Sequence, residues 1–325
     1  MDRKQIKILN PIVFNIEPFS YSEKAKETWI SNGFTYVGGS LDELIRFQEA
    51  SQIEVLITRI RYRLDDSILS FLPNLKAVVT ATTGLDHIDE VVLNTKGIQI
   101  YSLKPHKEFL DTIPSTAEHT WALMMAIIRN IPSANSDVMK GNWERDRYRG
   151  YQLKGKTIGI VGLGRTGMKV AKYAQSFNME VVYYDPYVFN ATWNKVNSLI
   201  ELAKCADIVT IHVHLQQDTM NLIDNCFIDN CKDNIFIINT SRGKVCDELA
   251  LVNGFRNNKI RGIAADVLSC ELTNITHSHL WRAQQEGANI IITPHLGGAT
   301  WEAMWDCEIF LSNYVIESDF NKGKE

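Results

Sequence analysis

Short apolar runs alternate with amphipathic segments along the first third of the chain. Ile6–Phe14, Val55–Thr58, Ala77–Thr80 and Ile98–Tyr101 are rich in Ile and Val and predict buried strands. Between them, Ser22–Asn32, Leu41–Ala50, Asp65–Phe71 and His87–Lys96 predict helices, with Asn32-Gly33 and Lys96-Gly97 as stops. Such alternation predicts a parallel sheet covered by helices on both faces. A stronger helix is predicted over Ser115–Ile131, where Ser115 is a candidate N-cap, Glu118 completes a capping box and Pro132 ends the run. That helix is apolar over most of its circumference, which predicts burial between layers or domains. The stretch SDVMKGNWERDRYRGYQLKGK is polar, dotted with aromatics and without strand periodicity, and reads as a surface arm or connector. A second series starts at Thr157. TIGIVGLG predicts a strand entering a glycine turn, and RTGMKVAKYAQSF the helix leaving it. VVYYD, IVTIHV, IFIINT, GIAADV and NIIITP repeat the strand theme, and WEAMWDCEIFLSNYVIESDF predicts a returning helix. The expected fold class is α/β, with two doubly wound parallel-sheet domains sharing one cleft.

Composition narrows the partners. The 325 residues are 45% hydrophobic, enough for two cores, and 34 basic against 38 acidic residues give a net charge of -4. That balance argues against a nucleic-acid surface. No uninterrupted apolar run reaches about eighteen residues, so no membrane span is expected. The basic start MDRKQIKILNPIVFN lacks a small-residue cleavage site and reads as a first strand rather than a secretory signal. All six cysteines (Cys205, Cys226, Cys231, Cys246, Cys270, Cys307) lie in the second half without CxxC spacing. Neither a disulfide framework nor a metal site is expected, and free thiols in a reducing cytoplasm are the reading adopted.

The most specific local signal is Gly162-Leu163-Gly164-Arg165-Thr166-Gly167 between a strand and a helix. Gly162 permits the tight turn, Gly164 allows the backbone to approach a pyrophosphate, and Gly167 lets helix and strand pack closely. Free N–H groups at the helix start favour an anion. The next strand ends in Asp185, about twenty residues on, where a carboxylate accepts from adenosine ribose hydroxyls and repels a 2′-phosphate. NAD is therefore favoured over NADP. Downstream, Arg242 follows the strand IFIIN, Asp266 ends GIAAD with Glu271 close behind, and His295 follows NIIIT. In an open parallel sheet the carboxyl ends of the strands are where ligands bind. One arginine, one carboxylate and one histidine thus converge beside the expected nicotinamide.

These segments resemble the D-isomer-specific 2-hydroxyacid dehydrogenases over nearly the whole chain. ATTGLDHID at Ala81–Asp89 is similar to the family's substrate loop, and GNW followed by LKGKTIGIVGLGRTG to its entry into the cofactor domain. NTSRGKVCDELAL, AADVLSCE and TPHLGGAT are similar to its three catalytic blocks. The resemblance implies a flavodoxin-like substrate domain over 1–104 and 299–325, and a Rossmann NAD-binding domain over 105–298. It implies hydride transfer between NAD and C2 of a small 2-hydroxy or 2-oxo acid. Arg242 would anchor the substrate carboxylate and polarise the 2-oxo group. His295 would be the acid or base, with Glu271 orienting its ring and stabilising its protonated form. Asp266 and Thr240 would sit by the nicotinamide ring, His212 in the cofactor-contacting segment beside His214. Backbone N–H groups of Thr83, Gly84 and Leu85 would hold the substrate carboxylate. Arg59 and Arg61, with Lys104, His106 and Lys107, are further candidates at the cleft mouth, against a plain reading as solvated charge.

Two departures stand out. The catalytic glutamate of the family is usually followed by proline, whereas Leu272 follows Glu271, and His214 stands where many members have proline. His119 reads as structural. The chain stops soon after the returning helix, so no regulatory domain is expected, and formate dehydrogenase is disfavoured because that branch carries a long N-terminal extension. The family also implies a homodimer built through the cofactor domain and the 133–150 arm, and cleft closure with hinges near 104–114 and 296–300. Two other functions fit the same pattern: an NAD-sensing binding protein of the corepressor type, and a phosphite dehydrogenase.

Overall fold

The computed structural model describes residues 10–189 and 191–318. The chain folds as two compact units, Met1–Thr112 with Thr300–Glu325, and Ile113–Ala299. In the first, β1 (Ile12–Asn15), β2 (Thr35–Gly38), β3 (Ile53–Thr58), β4 (Ala77–Thr80) and β5 (Gln99–Ser102) form one sheet in the order β2-β1-β3-β4-β5. Every pairing is parallel. The central strands are buried on both faces, as their unbroken apolar runs require, while both edge strands are partly exposed. Strand order reverses between β1 and β3, the arrangement of a flavodoxin-like sheet. Phe14, Leu44, Leu56, Leu69, Val78 and Leu93 pack its core. The helix Trp301–Glu317 returns to this unit and packs on the helix Glu23–Ser31.

The second unit carries β6 (Thr157–Val161), β7 (Glu180–Tyr184), β8 (Asn194–Lys195), β9 (Ile208–Ile211), β10 (Ile235–Asn239), β11 (Ile260–Ala265) and β12 (Ile290–Ile292). Their order is β12-β11-β10-β9-β6-β7-β8, again parallel throughout. Counted from β6, this is the order of a dinucleotide-binding sheet with β12 added at one edge, and its switch point lies between β6 and β9. Successive residues of β10 serve opposite faces. Ile235 and Ile237 join a core with Leu202, Phe227, Leu251 and Leu280. Phe236 and Ile238 join another with Met124, Ile127, Val170 and Ala171.

Several boundaries differ from expectation. The strand expected over Ile6–Phe14 begins outside the described residues, and its described part is Ile12–Asn15. The returning helix ends at Glu317, and the last two residues expected in it also lie outside the described residues. The edge strand β2 was not anticipated. The long helix spans Ser115–Ile128, and its N-cap is Pro114, not Ser115. The Pro114 carbonyl accepts from Ala117 and Glu118 N–H, so Ser115 lies inside the first turn and the predicted capping box does not form. Nor does Pro132 end this helix. The chain breaks at Asn130 in the left-handed region, with φ of 53°, and Pro132 falls in the first turn of a new helix, Ile131–Val138. The start of the expected arm is therefore helical. No described helix is long and apolar enough to cross a membrane, and the six cysteines are free.

Candidate active site in the second unit

The cofactor turn is built by close backbone approach. Gly162 ends β6 with φ of 88°, and a Cβ there would lie 2.7 Å from Val213 Cγ1 and 2.9 Å from the His212 carbonyl oxygen. At Gly167 a Cβ would overlap the carbonyl oxygen of Gly162, so the helix Arg165–Ser176 can lie against β6 only without a side chain there. Gly164, the N-cap, makes no side-chain cap, and a Cβ there would meet only open space. The helix start thus faces outward with Arg165 and Thr166 half-buried beside it. Asp185, at the end of β7, is buried. Its Oδ2 accepts from Leu163 N–H at 2.8 Å, and its Oδ1 from Tyr187 and Val188 N–H at 2.8 and 3.1 Å. The acid therefore ties the glycine turn to the β7 end before any ligand arrives. A glycine turn facing open space over an uncapped helix start, with a carboxylate at the next strand end, fits a dinucleotide. Across the switch point, His212 follows β9. Its Nε2 lies 2.8 Å from Thr210 Oγ1, and burial pushes its pKa down to about 3, so the ring is neutral.

Arg242 follows β10 on a turn organised by Asn239. That side chain donates to the Arg242 carbonyl at 3.0 Å and accepts from Ser241 N–H and Oγ at 3.0 and 2.8 Å. Arg242 Nη1 donates to the Ser241 carbonyl at 2.7 Å. The next residue, Gly243, packs so tightly that a Cβ would overlap the Leu268 carbonyl, which brings this turn against the segment leading to Glu271. Thr240 Oγ1 lies 2.7 Å from Thr120 Oγ1.

Asp266, at the end of β11, is 2% exposed and organises the loop that carries His295. Its Oδ1 accepts from Thr293 Oγ1 at 2.6 Å and Leu296 N–H at 2.7 Å, and faces His119 Nε2 at 3.1 Å. Its Oδ2 accepts from Gly297 N–H at 2.7 Å, and its backbone carbonyl from His295 N–H at 2.9 Å. Burial works to raise its pKa, but these hydrogen bonds outweigh burial and leave the carboxyl below its ordinary value. His295 itself sits in the left-handed region with φ of 57°. A non-glycine residue is strained there, and the surrounding hydrogen bonds hold it. Its Nδ1 lies 3.1 Å from Glu271 Oε1, with about a quarter of each side chain exposed. The ring is thereby oriented by one nitrogen, which leaves Nε2 for chemistry. Two features here escaped sequence reasoning: the Asn239 side chain and the contact of His119 with Asp266. Each acts through a fold-dependent neighbour.

Comparison with known proteins settles the family. Residues 121–297 match the NAD binding domain of D-isomer specific 2-hydroxyacid dehydrogenases. The chain belongs to this family. It is 32% identical to the D-3-phosphoglycerate dehydrogenase of Archaeoglobus fulgidus over 91% of this chain and 55% of that protein. The chain thus spans about half the length of the curated relatives it matches. Among solved structures it resembles the D-lactate dehydrogenase from Aquifex aeolicus complexed with NAD and lactic acid. That likeness has 27% identity and a TM-score of 0.75 over 96% of both chains. The NAD-dependent formate dehydrogenase from Staphylococcus aureus, in complex with NAD, matches at 25% identity and a TM-score of 0.80 over 97% of both chains.

In this family member the substrate-side candidates lie in the first unit. Thr83-Gly84-Leu85 follow β4 at the carboxyl edge of its sheet, where Thr82 Oγ1 donates to the Gly84 carbonyl at 2.8 Å. Arg59 follows β3 at the same edge, but its guanidinium has partners in its own unit. Nη2 is ion-paired with the buried Glu308, and Nη1 donates to the Phe19 carbonyl at 3.0 Å. Burial raises the pKa of Glu308, and Arg59 works against that rise. Arg61 is exposed, its guanidinium 5.4 Å from the Tyr62 ring centre.

Proposed function

We propose that the protein is an NAD-dependent D-2-hydroxyacid dehydrogenase acting on a small 2-hydroxy or 2-oxo acid. The observation that carries this reading is the His295–Glu271 pair at 3.1 Å, held beside the Arg242 turn at the carboxyl ends of a dinucleotide-binding sheet. NAD, when bound, supplies or accepts the hydride at C2. Gly162, Gly164, Arg165, Thr166 and Gly167 would hold its pyrophosphate and Asp185 its ribose, Thr240 and Asp266 would line its nicotinamide side, and His212 would lie in the segment that contacts it.

In the reductive direction His295 Nε2 gives its proton to the substrate carbonyl oxygen, and in the oxidative direction it takes the hydroxyl proton. Glu271 holds the ring in position and offsets its positive charge. Arg242, always protonated, grips the carboxylate with a planar fork and polarises the carbonyl. The negative charge of Asp185 excludes a 2′-phosphate and selects NADH. The exposed Met139 and Trp143 support a homodimer built through the 133–150 arm, which sedimentation velocity tests against a monomer. The location assigned is cytoplasmic.

The test is NADH consumption against pyruvate, glyoxylate, hydroxypyruvate and 3-phosphohydroxypyruvate, with phosphite offered in the NAD-reducing direction. Turnover of a 2-oxo acid supports the reading. Turnover of phosphite alone, or tight NADH binding without any turnover, would overturn it.

A further inference from the structure

The second unit contains a buried acid that the proposed chemistry does not use. Glu248 opens the helix Glu248–Arg256 and is 6% exposed. Its two oxygens bind opposite ends of one loop. Oε1 accepts from Ser269 N–H at 2.8 Å, and Oε2 accepts from Ser278 Oγ at 2.6 Å and His279 N–H at 2.9 Å. Burial works to raise its pKa, yet these hydrogen bonds more than compensate and keep the carboxyl below its ordinary value, so Glu248 is charged.

The loop between these anchors carries Glu271. Residues 272–277 are exposed, whereas Ser278 is buried, and within the excursion Arg282 Nε donates to the Thr276 carbonyl at 2.9 Å. Leu272 after Glu271 is an ordinary residue with a rotatable φ, where a proline would have fixed that torsion. One end of the loop also abuts the Arg242 turn, since Gly243 touches the Leu268 carbonyl. Five residues after that glycine, Glu248 grips the next residue of the loop, Ser269. A charged acceptor with three donors is among the stronger anchors available to a loop.

The geometry points to Glu248 as a positioning residue: it staples both ends of the 269–279 loop and so fixes Glu271 against His295 and the Arg242 turn. This inference rests on the dehydrogenase reading for its catalytic consequence, but not for its structural one. Glu248→Gln keeps the shape and replaces one acceptor oxygen by an NH2 group, which then faces an N–H or O–H donor and releases one end of the loop.

The experiment compares wild type and Glu248→Gln by amide hydrogen exchange, NADH titration and steady-state kinetics across pH. The staple predicts faster exchange confined to peptides spanning 267–280 and an NADH affinity within about twofold. It also predicts kcat lower by roughly 10- to 100-fold, as small misplacements of reacting groups produce. In oxo-acid reduction the alkaline limb moves to lower pH, because a loosened Glu271 stabilises the imidazolium less well. A residue that merely stabilises the fold would lower Tm and leave that limb in place. Unchanged exchange over 267–280, or an unmoved alkaline limb with kcat near wild type, overturns the assignment. If wild type binds NADH but reduces no oxo acid, the dehydrogenase reading fails, and the exchange result alone still decides the staple. Should Glu248→Gln not fold, Glu248→Asp keeps the charge on an arm one methylene too short to reach both ends, and the same readouts decide.

Discussion

At the carboxyl end of β9, His212 is kept neutral by burial, which pushes its pKa from an ordinary 6.5 down to about 3. Between those values the unfolded chain binds the proton and the folded one does not. Stability from this residue is therefore complete above pH 6.5 and is lost as pH falls toward 3, by at most about 1.4 kcal/mol per unit. Thermal melts across this range should fall more steeply for wild type than for His212→Gln, and parallel curves would contradict a neutral ring. Arg242 makes a different prediction. Lysine keeps the charge and loses the planar fork, so Arg242→Lys should lower kcat/KM for the oxo acid roughly 100-fold while leaving NADH affinity intact. An unaltered kcat/KM would remove Arg242 from the substrate. The placement of Arg242, Glu271 and His295 after β10, β11 and β12 was legible in the sequence because those strands have unmistakable apolar runs. Glu248 was not. An acid in the first turn of a helix reads as a surface charge favoured by the dipole, and its burial is decided by Ser269 and Ser278, 21 and 30 residues away.

Among elements, the β6–turn–helix unit depends on one missing side chain. A methyl group at Gly167 would overlap the Gly162 carbonyl and push the helix Arg165–Ser176 off its strand. Gly167→Ala should cost about 1–3 kcal/mol of stability in denaturant melts and weaken NADH binding. Wild-type values for both would contradict the close packing. Legibility of elements followed burial. β4 matches its expected span, Ala77–Thr80, because all four residues are buried and three of them are apolar. β2 was missed because at the sheet edge Tyr36 and Val37 are only half-buried and Thr35 and Gly38 are exposed, which leaves no buried apolar run. The helix at Ser115 was legible as a helix but not in its ends. Its start is set by the Pro114 carbonyl and its stop by a left-handed Asn130, neither of which leaves a periodic signal.

At the scale of the molecule, the first unit is assembled from both ends of the chain and the second from one continuous stretch. The helix Trp301–Glu317 brings Glu308 to Ser22 and Arg59 inside the first unit. A chain truncated after Ala299 should lose the first unit, leaving Arg59 without its ion-pair partner, while 113–299 keeps its own cores. Limited proteolysis should then yield a resistant fragment near 113–299. Equal resistance of the first unit, or wholesale digestion, would contradict that division. The hydrophobic pattern alone yields only α/β alternation, since pairing depends on contacts between distant segments, and it was the family resemblance that implied the flavodoxin-like and Rossmann strand orders found here. In the proposed reaction His295, oriented by Glu271, moves the proton that accompanies hydride transfer. Its most direct test is His295→Asn assayed beside wild type on the best 2-oxo acid, with NADH binding measured on both. In the variant kcat should fall by about 10²- to 10⁴-fold at an unchanged NADH affinity. A variant that turns over at the wild-type rate would contradict that role.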